Sequence, residues 1–120
     1  MRLLVLFLLP ALLFGQPTDA LEPVRKKLSA REFAAAQAEV TKVLEAAPRN
    51  KAAWVLRGRA RVGLSDFYGA VADLTFALEI DSTLAEAYNY RGEAKIGLAD
   101  DEGALADLNK AIRFQPKLTD

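Results

Sequence analysis

Two stretches of the chain, 51–84 and 85–118, align without a gap at a spacing of 34 residues and share 14 identities. The matches include Arg-Gly-x-Ala, Gly-Leu-x-Asp and Gly-Ala-x-Ala-Asp-Leu. A period of this length constrains the fold more than any bulk property. Once it reads as two helices, each unit cannot hide its own apolar face and must stack on its copies. Stacks of that kind present long surfaces, so the pattern points to contact with other proteins and away from a pocket that does chemistry.

Each unit carries two segments with apolar or small residues at helical spacing, separated by a turn. In the middle unit the pattern predicts a first helix over about 51–64 and a second over about 67–80. Asp66 and Asp100 are placed to cap the second helices, and Asn50 the first helix of the middle unit. Thr83-Leu84-Ala85-Glu86 fits a capping box, in which a hydroxyl and a carboxylate satisfy each other's backbone donors. Pro48 and Pro116, two periods apart, fall where a helix has just ended. One period further back lies a weaker copy, with Phe33 in register with Phe67, Ala36 with Ala70 and Ala104, Val40 with Leu74 and Leu108, and Leu44 with Leu78. Its first helix holds Pro23 and Val24 in place of the Arg-Gly pair. Terminal units of a stack depart from the pattern, so an all-α stack of three units is expected, over 17–50, 51–84 and 85–118.

The chain of 120 residues is enough for one small domain. It has no Cys and no His, which removes thiolate nucleophiles, imidazole bases and the usual zinc and haem ligands. Acid–base work would fall to Asp, Glu and Lys, and no paired-carboxylate arrangement stands out. An enzyme is therefore the remote alternative, and no cofactor or metal is expected. At the N-terminus, Met1 and Arg2 precede an apolar run from Leu3 to Phe14, broken only by Pro10 and followed by Gly15. One positive charge, a short apolar run and a small residue make the arrangement of a secretory signal peptide. The run is too short to cross a bilayer, which takes roughly 20 residues. Cleavage is expected after Gly15, with Ala20 as the alternative site. The chain is thus expected in the periplasm or secreted; an uncleaved segment would tether it to a membrane. Losing 1–15 leaves 15 Lys and Arg against 16 Asp and Glu, which gives no reason to expect nucleic acid as a partner.

The repeated residues resemble the tetratricopeptide repeat family. Trp54, Gly58, Ala70 and Ala77 fall on the family's aromatic and small sites, and Tyr88, Gly92, Ala104, Ala111 and Pro116 follow in the last unit. The chain departs from the family at Lys27, Arg61 and Lys95, where an aromatic is common. It departs again at Arg31, Ser65 and Ala99, where Gly is common in the turn, and at Asp101, which replaces the aromatic of Phe33 and Phe67. The resemblance implies a right-handed superhelix whose first helices line a concave face that grips peptides or helices of partner proteins. Carried across position by position, the lining is Leu21, Arg25 and Leu28, then Val55, Leu56, Arg59 and Val62, then Asn89, Tyr90, Glu93 and Ile96. Relatives that clamp a C-terminal carboxylate use Lys, Asn and Arg on this face. Leu56 and Tyr90 stand where that clamp wants polar groups, so carboxylate-tail binding is not expected.

Arg57 and Asp73, like Arg91 and Asp107, lie eight residues either side of a turn. Equal distance from the turn puts them at one height of an antiparallel hairpin, which predicts a salt bridge; the alternative is arginines that face a ligand. Arg49, Lys51, Arg57, Arg59 and Arg61 form a basic stretch, but helical geometry spreads 57, 59 and 61 over different faces. Only Arg59 is predicted to look into the groove. Asp100, Asp101 and Glu102 lack the ligand spacing of a calcium loop and suit a helix start. Leu105, Leu108, Ile112 and Phe114 lie on a last helix that a following unit would normally cover, so this end is expected to dock a partner or a second copy. The remaining alternative is a structural spacer or self-associating module with no peptide ligand.

Overall fold

The structure is a computed structural model that describes residues 19–116. Among the described residues there are six helices: α1 (Glu22–Ser29), α2 (Phe33–Ala46), α3 (Lys51–Gly63), α4 (Phe67–Ile80), α5 (Ala85–Gly97) and α6 (Asp101–Phe114). They pair in chain order into three stacked hairpins, with α3 also packed on α1 and α5. The expected signal peptide lies outside the described residues, as do residues 17 and 18 of the first unit and 117 and 118 of the last.

The turns inside the three hairpins share one backbone solution. Arg31, Ser65 and Ala99 each take a left-handed conformation, with φ of 60°, 59° and 60°. Around each, two backbone bonds close the preceding helix. The Ser65 N–H donates to the Val62 carbonyl at 3.0 Å and the Asp66 N–H to the Arg61 carbonyl at 2.8 Å. The pattern repeats at Ala99 and Asp100 and at Arg31 and Glu32. This is the Schellman arrangement, whose left-handed residue is usually glycine. Three non-glycine residues therefore hold the same turn as the family's glycine, at some cost in local strain.

Helix starts follow the sequence except at one junction. Asn50, Asp66 and Asp100 accept from the N–H groups of Ala53, Gly69 and Gly103 at 3.2, 3.1 and 3.0 Å. The capping box expected at Thr83 does not form. α5 begins one residue later, with Leu84 as a cap that makes no side-chain bond. The Thr83 hydroxyl instead donates to Asp81 at 2.6 Å, and the same carboxylate takes the Thr83 N–H. Asp81 also receives Lys51 at 2.8 Å, and the ammonium and the Thr83 donors hold its carboxyl well below the usual range. Hydrogen bonds to an ionised carboxylate are stronger than neutral ones, and Lys51 keeps Asp81 ionised and in place, so Thr83 is drawn away from the helix.

Within the hairpins, the small residues sit where backbones approach. A Cβ on Gly58 would come within 2.5 Å of Leu74, and one on Gly92 within 2.9 Å of Leu108. The first hairpin fills the same place differently, with Val24 and Val40, both fully buried. Between hairpins, the ring of Phe33 covers Gly63 and that of Phe67 covers Gly97, so closely that a Cβ would fall within 2.5 Å of a ring atom. These ring-on-glycine contacts seat each unit on the next.

Trp54 and Tyr88 occupy matching surroundings. The Trp54 Nε1–H donates to the Pro48 carbonyl at 2.8 Å, and the Tyr88 hydroxyl to the Ser82 carbonyl at 2.9 Å, one period on. Each ring lies under the guanidinium of the arginine three residues later. These aromatics are packing residues.

Both predicted cross-hairpin salt bridges form, each as a two-point contact. Arg57 donates to Asp73 at 2.9 and 3.0 Å, and Arg91 to Asp107 at 2.8 and 2.7 Å. The pairs are parts of a larger device. Each carboxylate takes a second cation one turn on, Arg61 or Lys95, at 2.9 Å. Each arginine also reaches the hydroxyl of Thr41 or Thr75 on the second helix of the preceding hairpin. One guanidinium thus ties its own hairpin together and fastens it to its neighbour. Arg61 and Lys95, which stand where the family often has an aromatic, are the second cations of this device.

Candidate partner-binding groove

α1, α3 and α5 lie side by side and leave a trough made of two adjoining cavities. The first, of about 310 Å³, is lined by residues including Arg25, Lys51, Leu56, Arg59 and Glu86. The second, of about 440 Å³, is lined by residues including Arg31, Arg59, Val62, Tyr90 and Glu93. Ser29 and Arg59 line both, so the cavities adjoin. Arg59 spans the trough with its guanidinium 5.6 Å from the centre of the Tyr90 ring. Burial pushes the Tyr90 hydroxyl's pKa up, and the nearby Glu86 and Glu93 act in the same direction against the opposing effect of Arg59.

Charge in the trough is sorted by helix. Arg25, Arg31, Lys51 and Arg59 come from the α1 and α3 side, and Glu86 and Glu93 from α5. Arg57 and Arg61 turn away to Asp73, which leaves Arg59 alone of the three to face this space. Arg25 is oriented by an ion pair with Asp19. The Asp19 carboxyl is held below its ordinary value, first by the Leu21 N–H and then by Arg25.

The eleven residues expected along the concave face divide into two groups. Arg25, Arg59, Val62, Tyr90 and Glu93 are exposed or half-buried and line the two cavities, whereas Asn89 and Ile96 are exposed but line neither. Leu21, Leu28, Val55 and Leu56 are at most 4 % exposed and belong to the core. Val55 and Leu56 nevertheless line the first cavity and Leu28 the second, as its floor, whereas Leu21 lines neither. The first helices of a stack pack on two sides at once, and the side chains nearest the neighbouring helix are consumed by that packing. Gly63 and Arg31, not expected in the trough, line its second cavity.

The last helix also differs in part from expectation. Leu105 is 62 % and Ile112 71 % exposed, whereas Leu44 and Leu78, in register with Ile112, are 6 % and 8 % exposed beneath the following hairpin. Leu108 is half-buried against Gly92. Phe114 does not join this face: its ring stacks on Tyr88 with centroids 5.7 Å apart. Asp100 serves as a helix cap, and among the described residues no three acidic side chains gather as a metal site would require.

No family model matches the sequence, and no curated protein matches it. Solved structures do. The first tetratricopeptide-repeat domain of Spaghetti (RPAP3), solved bound to the HSP90 peptide SRMEEVD, superposes with a TM-score of 0.75 at 24% identity, over 87% of each chain. The first such domain of human RPAP3 has a TM-score of 0.75 at 26% identity, over 81% of this chain and 76% of the other. The Arabidopsis OM64 domain matches with a TM-score of 0.75 at 25% identity, over 79% and 78%. The chain has the tetratricopeptide-repeat fold, an all-α stack of three helical hairpins.

Proposed function

We propose that this tetratricopeptide-repeat chain is an interaction module that holds a peptide or helix of a partner protein in the trough between α1, α3 and α5. The observation that carries the reading is Arg59. It lies over Tyr90 at the meeting of two cavities, between a basic wall and an acidic wall. A segment with acidic side chains on one flank, basic ones on the other and an apolar ridge between them complements that arrangement. The RPAP3 domain holds its peptide in the same fold, which supports the mode of binding. It does not extend to the same ligand, because Leu56 is buried and Tyr90 is covered by Arg59 where a carboxylate clamp needs polar groups.

Crosslinking in cells followed by mass spectrometry identifies the partner. Arg59→Glu combined with Tyr90→Ala then tests the trough, and loss of capture by the folded variant is the expected result. Undiminished capture by this variant would reject the trough as the site. A structural spacer would be indifferent to the same change.

Export is the second part of the proposal and rests on the pattern of residues 1–15. Asp19 supports the earlier cut, since cleavage after Ala20 would remove the carboxylate that holds the Leu21 N–H and Arg25. N-terminal sequencing of the processed chain is expected to begin at Gln16. A chain that keeps Met1 and stays in the cytoplasm would overturn it.

A further inference from the structure

We propose that the outer face of α6 pairs with the same face of a second copy, the two α6 helices running antiparallel about Leu108. The cavity beside this face shares Glu86 with the first cavity of the trough, but Glu102, Ile112 and Arg113 line neither trough cavity, so variants at these positions let either proposal fail without the other.

The need for a cover comes from Leu105 and Ile112. They are mostly exposed, although the residues in register with Ile112 in the other units are buried by a following helix. Beside them is an open cavity of about 580 Å³ whose lining includes Asn89, Leu108, Ala111 and Ile112. Among the described residues nothing covers this face.

Two arrangements of a second copy are conceivable, and the end faces choose between them. Head-to-tail stacking would set α1 of one copy on α6 of another, as α3 sits on α2. The contacts that make such a junction inside the chain are missing at its ends. Asp101 replaces the ring supplied by Phe33 and Phe67, and Ser29 replaces the glycines those rings cover. Lys26 is exposed where Ala60 and Ala94 are fully buried at the internal junctions. Stacking would bury an ammonium against leucine, which is strongly unfavourable without a partner charge. The α1 face is built for water.

Self-pairing of α6 meets no such obstacle. An isologous contact brings like face to like face, and charge sets its direction. Glu102 near the start and Arg113 near the end flank the apolar stripe on one side, and both are exposed with no ion pair among the described residues. An antiparallel pair sets Glu102 of each copy close to Arg113 of the other, twice per dimer. A parallel pair, whose two-fold axis runs along the helices, would set these flanks on opposite sides of the contact and leave both charges unpaired. Antiparallel helix dipoles favour the same choice. With a single 14-residue helix from each copy, the contact lies at the small end of specific interfaces, so dissociation in the micromolar range is expected.

Sedimentation equilibrium of the processed chain across that range tests the proposal. The expected result is a monomer–dimer equilibrium. Ile112→Arg, at an exposed position, should weaken it by about hundredfold while the circular dichroism spectrum is kept. Glu102→Arg and Arg113→Glu should each weaken it by about tenfold, and the double exchange should restore most of the loss. A chain that stays monomeric throughout the range overturns the proposal, as does a dimer indifferent to Ile112→Arg. Failure of the double exchange to rescue either single variant overturns the antiparallel arrangement. If the stack itself failed in these variants, the helical signal would fall, which separates misfolding from loss of pairing.

Discussion

The first hairpin, α1 with α2, and the second, α3 with α4, have the same turn and the same register, yet they are closed by different contacts. The second brings Gly58 against Leu74 and ties its helices with Arg57, Arg61 and Asp73. The first packs valine on valine, and Pro23 stands where the arginine would be. All that remains of the polar device is Lys27 with Glu39 at 3.7 Å, both partly exposed. The difference follows from position. Arg57 also grips Thr41 of the preceding hairpin, whereas among the described residues the first hairpin has no predecessor to grip. The Arg–Asp device therefore belongs to the seam between units more than to the hairpin itself.

The largest test of this contrast removes the carboxylate from each hairpin in turn. Asp73 is 2 % exposed and serves two guanidinium groups. Asp73→Ala strands both, and breaking a buried pair from one side costs about 3–5 kcal/mol. Glu39→Ala, at the same register, should cost under about 0.5 kcal/mol, as exposed pairs do. Urea denaturation of the two variants reads the difference, and similar losses would show that the device is not confined to the seam. The third hairpin adds a pH signature. Burial pushes the Asp107 carboxyl up, but hydrogen bonds from Arg91 and Lys95 outweigh it and leave the group below its ordinary value. The unfolded chain then binds this proton first, so the stabilisation is present above about pH 4 and is lost as pH falls through the folded value. Asp107→Asn should make the acid decline in stability shallower than in the parent chain.

The second test exchanges the packing solutions. Gly58→Val places side-chain atoms where Leu74 already lies, and overpacking of this kind should cost about 2–3 kcal/mol. Adding Leu74→Val recreates the pair found in the first hairpin. The double variant is expected to recover at least about 1 kcal/mol of that loss, measured as a coupling energy in a double-mutant cycle. Strict additivity would mean that the two hairpins are not interchangeable solutions of one contact.

Much of this architecture was legible in the residues because the signals repeat. The 34-residue identity fixed the frame, Asn50, Asp66 and Asp100 marked helix starts, and Arg57 with Asp73 fell at matching distances from a turn. What escaped was of two kinds. Contacts between units depend on how hairpins nest, which periodicity alone does not state; Arg57 to Thr41 and Phe33 on Gly63 belong here. A signal for the latter existed, since Phe33 and Gly63 recur together as Phe67 and Gly97. Competition for a shared partner was the other kind. Thr83 had the right neighbours for a capping box, but Asp81, charged and held by Lys51, took its hydroxyl. The trough was legible as to its helices but not its depth, since Leu28, Val55 and Leu56 reach its cavities from buried positions while Leu21 lines neither.

The smallest test concerns what the hairpins share. Arg31, Ser65 and Ala99 are all left-handed, a conformation that costs residues with a Cβ roughly 1–2 kcal/mol more than glycine. Glycine loses more backbone entropy on folding, which returns part of that difference. Ala99→Gly should therefore stabilise the chain by about 0.5–1 kcal/mol, and Ser65→Gly by a similar amount. Arg31→Gly should gain less, because the Arg31 guanidinium lies 5.5 Å from the centre of the Phe33 ring and that contact, worth about 0.5–1 kcal/mol at exposed sites, is forfeited. Thermal melts of the three variants therefore separate the turn, common to every hairpin, from the side chain that makes the first one different. Equal gains at all three positions would show that the Arg31 contact contributes nothing and that the first hairpin differs only in its packing and its missing arginine.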